Sequence, residues 1–154
     1  MRNELMVLGI VASALGWGVA GWAQEAAPDV PGLIVSLTTG DPAVRAASAR
    51  ILGEIGPKAK EAVPALTEAL KDESKDVRRN AVKSLGQMGP AAADAVPAIA
   101  QTLGEASWET RRTAATALGA IGDRRAEAPL KRARNDPNDK VRAAAKRALK
   151  QLKK

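Results

Sequence analysis

The sequence of 154 residues contains no cysteine, no histidine, no phenylalanine and no tyrosine. Without Cys and His, the chain has no thiolate nucleophile, no Cys/His zinc site and no Ser-His-Asp triad. The side chain that most often acts as a general base near neutral pH is also missing. Only carboxylates, lysines and hydroxyls are left for catalysis. The composition therefore predicts a protein that is not an enzyme and that has no metal site and no cofactor.

The shortage of aromatic residues also limits how the core is built, since three Trp are the only ones present. Apolar residues nevertheless make up 45% of the chain, so Ala, Leu, Val and Ile have to fill the core. Small residues of this kind pack well between closely spaced helices. We therefore predict an all-α fold.

Charge is absent from residues 5–23, an apolar run that follows Arg2 and ends with small residues at 21 and 23. This order is typical of a secretory signal peptide. We predict that residues 1–23 are a cleaved signal, that residues 24–29 are a linker and that the protein is periplasmic or secreted. The run is also long enough for an uncleaved N-terminal membrane anchor, which is the alternative.

Three short motifs recur along the chain at a spacing of about 33 residues. A Val-Pro motif begins at residues 30, 63 and 96, and a Leu-Gly-x-x-Gly motif begins at residues 52, 85 and 118. An Arg preceded by Val or Thr stands at 45, 78, 111 and 142. These motifs predict four repeats, at about 30–62, 63–95, 96–127 and 128–154.

Each repeat is predicted to contain two helices joined by a turn. The first helices are expected at 31–39, 61–71, 94–104 and 125–134, and the second helices at 42–55, 75–88, 108–121 and 139–152. Apolar residues at positions i, i+4, i+8 and i+11 favour the second helices, as in the stripe Val44, Ser48, Leu52 and Ile55. Residues suited to cap their N-termini precede them at Asp41, Ser74, Ser107 and Asn138.

Glycines end three of the second helices, at Gly56, Gly89 and Gly122. Further glycines lie inside the same helices, at Gly53, Gly86 and Gly119. Each interior Gly costs about 1 kcal/mol relative to Ala, and a helix tolerates that cost where another backbone passes close by. We therefore predict tight stacking of helices between successive repeats.

These motifs resemble the HEAT family, specifically the short HEAT-like repeats of the phycobilisome-lyase type. The residues that carry the resemblance are Ala62-Val63-Pro64-Ala65-Leu66, Asp76-Val77-Arg78 with Ala81, and Leu85-Gly86-Gln87-Met88-Gly89, with their copies. The resemblance covers residues 30–154 and implies an α-solenoid. It does not imply an enzyme, because such repeats occur in unrelated scaffolds. A bilin-lyase-like enzyme is kept as an alternative, although the chain lacks His, Cys and Tyr for a tetrapyrrole site.

The regular column of Arg45, Arg78, Arg111 and Arg142 has two interpretations. It could grip an acidic partner, or it could bond to loop carbonyls and to an acidic residue of the next repeat. A feature present once per repeat favours the second interpretation. Residues that vary between repeats are better candidates for binding a protein partner, and the candidates are Arg79, Lys83 and Arg112, with Trp108 as an interface anchor or a local packing residue.

The formal net charge of +7 lies almost entirely in the last fifth of the chain. Residues 123–154 contain 12 Lys and Arg against 4 Asp and Glu, whereas residues 24–122 contain 11 against 12. Either the fourth repeat is a soluble cap, or its basic amphipathic helix binds an anionic lipid or a polysaccharide. Nucleic acid is disfavoured by the predicted export. The candidate anion-binding residues are Lys146, Arg147, Lys150, Lys153 and Lys154.

The first repeat is predicted to begin just after the linker without a dedicated capping segment, and its first helix, expected to be exposed, contains Leu33, Ile34, Val35 and Leu37. This apolar surface predicts weak self-association or contact with another protein. The principal prediction for function is therefore a non-catalytic, exported HEAT-repeat scaffold that binds a protein partner.

Overall fold

A computed structural model describes residues 28–154, so the predicted signal or anchor and residues 24–27 of the linker lie outside the described residues. The described part contains eight α-helices in four pairs and no β-strand. The first helices are α1 (Val30–Thr39), α3 (Val63–Ala69), α5 (Val96–Thr102) and α7 (Glu127–Ala133). The second helices are α2 (Pro42–Ile55), α4 (Lys75–Met88), α6 (Trp108–Ile121) and α8 (Asp139–Gln151). The predicted all-α solenoid of paired helices is confirmed.

The second helices begin where their predicted caps stand. Asp41 accepts a hydrogen bond from the Val44 amide at 2.9 Å, and Asn138 accepts one from the Lys140 amide at 2.9 Å. The Ser107 hydroxyl accepts a longer bond, of 3.4 Å, from the Thr110 amide. Ser74 occupies the predicted N-cap position of α4, but its side chain makes no capping bond.

The first helices of the second, third and fourth repeats are shorter than predicted. Segments of 3₁₀ helix precede α3 (Gly56–Ala62), α5 (Gly89–Ala95) and α7 (Arg124–Ala126), and the first two segments are kinked at Ala59 and Ala92. Proline at the second position of α3, Pro64, has no N–H with which to extend the α-helical hydrogen bonding back towards residue 60. The chain therefore approaches α3 through the tighter 3₁₀ geometry.

The second helices of successive repeats pack directly against one another, and the interior glycines lie at these contacts. A Cβ on Gly119 would lie 2.7 Å from the Ala148 Cα of α8, and a Cβ on Gly86 would lie 2.9 Å from the Ala117 Cα of α6. Such distances are shorter than carbon atoms tolerate. The predicted tight stacking between repeats is therefore confirmed.

The core is a single column of aliphatic residues between the two layers of helices. Leu52, Leu85 and Leu118 of the second helices are fully buried. Val44 was predicted to belong to the same apolar stripe, but 42% of its surface is exposed, whereas its counterpart Val77 is fully buried. The difference arises because, among residues 28–154, no earlier repeat packs against the start of α2.

Arginines at the start of the second helices join each repeat to the next through bidentate ion pairs. The Arg45 Nε and Nη2 donate to the two carboxylate oxygens of Asp72 at 2.7 and 2.9 Å. Arg78 binds Glu105 in the same way, at 2.9 and 3.3 Å. Both partners lie about one repeat further along the chain, so each pair crosses a repeat boundary.

The pair between Arg111 and Asp136 is the most buried of the series. Its two hydrogen bonds measure 2.7 and 3.0 Å, and the side chains are 13% and 7% exposed. The Nη1 of Arg111 also donates to the carbonyls of Glu105 and Ala106 in its own loop. The arginine column therefore fixes the loops and the repeat boundaries, as the structural interpretation of the sequence expected.

The arginines lower the pKa of the carboxylates that they bind. The pKa of Asp72 lies below its usual value because of the hydrogen bonds from Arg45, followed by the backbone bond from Ser74. The pKa of Asp136 is lowered in the same way by Arg111, and then by the Asn138 amide. Both carboxylates are therefore charged at neutral pH and accept hydrogen bonds throughout the physiological range.

Within residues 28–154, no helix combines the length and the apolar character needed to cross a membrane.

Replacing Gly119 by Ala should destabilise the protein, although Ala is the better helix former. The new Cβ would press on the backbone of Ala148, and overpacking of this kind costs about 1–3 kcal/mol. Gly104→Ala is the matched control, since a Cβ there meets its nearest atom at an ordinary 3.4 Å. Urea denaturation followed by circular dichroism would measure both variants. Equal stability of the two variants would contradict the close-packing argument.

Asp136→Ala should lower the free energy of unfolding by about 2–3 kcal/mol, because it leaves a mostly buried Arg111 without its carboxylate. Glu68→Ala, which breaks the exposed pair with Lys71, should cost less than about 0.5 kcal/mol. Chemical denaturation of both variants checks the difference. A small effect of Asp136→Ala would show that the arginine pairs contribute little to stacking.

The lowered pKa values of Asp72 and Asp136 predict a loss of stability in acid. Between the folded pKa and the unfolded value of 3.8, the unfolded chain binds more protons, so the free energy of unfolding falls as the pH drops below about 5. The double variant Asp72→Asn, Asp136→Asn should have a shallower dependence of Tm on pH, measured at constant ionic strength. Identical slopes for the two proteins would refute the assignment.

Candidate protein-binding and anion-binding surfaces

The exposed side of the second helices forms one surface across all four repeats, and we call it the second-helix surface. Arg79 and Lys83 of α4 and Arg112 of α6 are exposed on it. Arg79 pairs with Asp76 at 3.0 Å. Lys83 and Arg112 have no carboxylate within 4 Å among residues 28–154, so their charges face solvent.

Carboxylates on the same surface lie close to these cations. Glu109, at the start of α6, has a lowered pKa, chiefly because the Ser107 hydroxyl donates a hydrogen bond to it and also because of the charges of Lys75 and Arg79. The second-helix surface is therefore mixed in charge at α4 and α6. It offers both cations and a carboxylate to a partner.

Trp108 lies at the boundary between the third and fourth repeats. Its side chain is partly buried, and the Lys140 Nζ of α8 lies 4.8 Å from the centre of its ring. This distance is that of a cation–π contact. Lys140 therefore covers one face of the Trp108 ring, which is a local packing contact between the third and fourth repeats.

The predicted anion-binding residues divide between two surfaces. Arg147 occupies the position of Lys83 and belongs to the second-helix surface. The other four line a cleft of about 770 Å³ on the outward side of α7 and α8, and we call it the end face. These four residues are Lys146, Lys150, Lys153 and Lys154.

The end face corresponds to the side on which the other repeats stack. Lys146 occupies the position of Ala115, a fully buried residue of α6. Lys150 occupies the position of Gly119, where α6 approaches α8, and Lys153 that of the helix-ending Gly122. Small stacking residues are thus replaced by lysines, which explains why this face is solvated.

Three further cations of the end face were missed as binding candidates from the sequence. Arg124, Lys131 and Arg134 line the same cleft. Arg134 takes the position of the apolar Leu103, and that replacement is the signal that could have identified the set. Glu127 is the one acidic side chain in the cleft lining, and its pKa is lowered chiefly by a hydrogen bond from Lys131 at 2.7 Å.

No cluster suited to a metal ion is present among residues 28–154, where no three acidic side chains lie close enough together to hold one. The surfaces described above consist of long cationic side chains, single carboxylates and small apolar patches. Their chemistry suits ion pairing and hydrogen bonding with another molecule.

The chain resembles known proteins that are built from helical repeats. Human deoxyhypusine hydroxylase in complex with glycerol is 30% identical, with a TM-score of 0.67, over 83% of this chain and 44% of the enzyme. The complex of CpcE and CpcF of phycocyanin lyase from Nostoc sp. PCC7120 is 25% identical, with a TM-score of 0.57, over 87% of this chain and 69% of that one. A designed armadillo repeat protein in complex with the peptide (KR)4 is 17% identical, with a TM-score of 0.69, over 80% of this chain and 64% of the designed protein, which shows a shared fold alone.

This chain therefore spans less than half of the human enzyme and less than two thirds of the designed protein. None of the curated proteins matches it. The family model for HEAT repeats matches residues 30–95 and 91–150. Because these two matches cover nearly all of the described residues, the chain belongs to the HEAT repeat family.

Proposed function

We propose that this protein is a non-catalytic scaffold that is exported through residues 1–23 and binds a protein partner on the second-helix surface. The observation that carries the proposal is the contrast between two sets of positions on the second helices. Stacking positions repeat with little change, as at Leu52, Leu85 and Leu118, which are fully buried. Exposed positions differ from repeat to repeat, so packing does not determine them.

The exposed cations give this surface its specificity. Within the described part of the chain, Lys83 and Arg112 have no carboxylate partner, so a protein partner can pair with both of them without first breaking an ion pair there. Arg79 shares its charge with Asp76 at 3.0 Å, and an exposed pair of this kind is weak enough to rearrange. A partner surface that presents carboxylates is therefore the expected complement.

Export is supported by the apolar run that follows Arg2 and by the small residues at its end. N-terminal sequencing of the protein recovered from the exported fraction tests this part of the proposal. A new N-terminus near residue 24 is expected. An intact residue 1 in a membrane fraction would favour the anchor instead.

The proposal that the protein is not an enzyme is supported by the absence of His and Cys from the whole sequence. The likeness to a phycocyanin lyase complex supplies the rival hypothesis of a bilin-lyase-like activity. An absorbance titration with a bilin distinguishes the two, since our proposal expects no spectral change. A saturable change would favour the rival.

Partner capture from the exported fraction tests the surface. The triple variant Arg79→Ala, Lys83→Ala, Arg112→Ala should recover at least about tenfold less of any specific partner, because it removes three interfacial charges. The triple variant Lys58→Gln, Lys60→Gln, Lys71→Gln loses equal charge elsewhere and should recover the partner normally. Equal recovery by both variants would place the interface on another surface.

A further inference from the structure

Among residues 28–154, the arginine of the fourth repeat occupies an incomplete site. Arg142 donates from Nη1 to the carbonyls of Asp136 and Pro137, at 2.9 and 2.8 Å, as the earlier arginines do to their own loops. Its Nε and Nη2, which bind a carboxylate in all three preceding repeats, have no acceptor among residues 28–154. In the earlier pairs, the edge of the guanidinium formed by Nε and Nη2 binds a carboxylate through both of its oxygens. A carboxylate therefore fits the same edge of Arg142.

The lysines of the end face continue from Arg142 along one side of α8. Lys146 and Lys150 follow at intervals of four residues on the same side of the helix, and Lys153 lies just beyond its C-terminal end. Lys131 and Arg134 of α7 flank the cleft. The positive charge is thus arranged as a line about three turns long with Arg142 at one end.

The floor of the cleft is apolar. Leu149 and Leu152 are only partly buried and pack against the core from this side. A partner that places an aliphatic side chain between its carboxylates would cover both residues. The line of cations and the apolar floor of the cleft together match a segment that carries acidic and apolar residues on one face.

A further HEAT repeat does not suit this face. The stacking of α6 on α8 requires Gly119, since even a Cβ there would lie 2.7 Å from the Ala148 backbone. Lys150 fills the equivalent position on α8 and prevents such an approach. Its long side chain holds any occupant further away, at the distance suited to ion pairs between long side chains.

A second copy of the chain is also a poor complement in this register. The carboxylates of Asp72, Glu105 and Asp136 stand six residues before an arginine of the column, and the first repeat has Thr39 at that position. A copy stacked head-to-tail would therefore bring a hydroxyl, and not a carboxylate, to Arg142.

We propose that the end face binds an acidic, amphipathic segment of a partner protein, with one carboxylate held by Arg142 and others paired with Lys146, Lys150 and Lys153. This inference rests on the proposed scaffold function and adds a second surface with a defined partner chemistry. At the three equivalent sites of the earlier repeats, the same bidentate edge of the arginine holds a carboxylate. Leu149 and Leu152 form the floor of the cleft, and this favours a segment with an apolar side chain that enters the cleft.

The test uses a synthetic helical peptide of about 14 residues, a length that matches the face at 1.5 Å per residue. The peptide carries Glu and Leu on one face, and a control peptide has Gln in place of Glu. Calorimetric titration of the full chain should detect the Glu peptide and not the Gln peptide. Raising the salt concentration should weaken the binding, because the charges are exposed.

Two matched sets of variants locate the site. Lys146→Gln, Lys150→Gln, Lys153→Gln should weaken binding of the Glu peptide by about tenfold or more, whereas Lys58→Gln, Lys60→Gln, Lys71→Gln should change it by less than about twofold. All six lysines are exposed, so both sets should keep the wild-type Tm. Equal effects of the two sets would overturn the proposal.

Arg142→Lys tests whether the arginine binds the peptide through its bidentate edge. The substitution should weaken binding of the Glu peptide several-fold, because Lys keeps the charge but loses the fork that pairs with both carboxylate oxygens. Unchanged affinity for the Glu peptide would overturn the role of Arg142, and binding of heparin or phosphatidylglycerol vesicles in place of the peptide would overturn the proposal and identify a polyanion or membrane site.

The Arg79→Ala, Lys83→Ala, Arg112→Ala variant separates this inference from the proposed function. If the peptide binds the end face, this variant keeps wild-type affinity for it even when it no longer captures a partner. Loss of peptide binding in this variant would place the acidic segment on the second-helix surface and overturn the end-face proposal alone.

Discussion

The close approach of successive second helices is the constraint on which the rest of the structure depends. Each repeat has too few large side chains to bury its own core, so it gains stability only when its neighbour comes near enough for Ala and Gly to touch. Gly86 and Gly119 permit that approach because even a methyl group would meet the opposing backbone. Once the helices are that close, the loops meet as well, and the bidentate pair of Arg111 with Asp136 can form across the boundary.

The bounds of the second helices could be predicted from the sequence because their signals are local. A capping residue, an apolar stripe and a terminal glycine act within one helix, and α2, α4 and α6 begin and end where those signals stand. The first helices were harder to predict, since Pro64 and its counterpart convert the preceding turn into a 3₁₀ segment. The exposure of Val44 depends on a neighbouring repeat, which no local pattern reveals.

The candidate sites show the same division between local and long-range information. The exposure of Arg79, Lys83 and Arg112 follows from helical periodicity and was predicted. The assignment of Arg147 and Lys150 to different surfaces was not predicted, because the two residues are only three positions apart in one basic helix. Only the alignment of α8 with the stacking contacts of α6 separates them, and it also reveals the contribution of α7 to the end face.

The lysines of α8 have a consequence for how an array of this kind can change in length. A repeat inserted between two regular repeats would inherit small residues on both of its sides and could stack at once. A repeat joined beyond α8 would first meet Lys150 at the point where the helices must touch. A regular repeat would therefore fit between two of the existing repeats, where it would lengthen the second-helix surface, but it would not fit against α8.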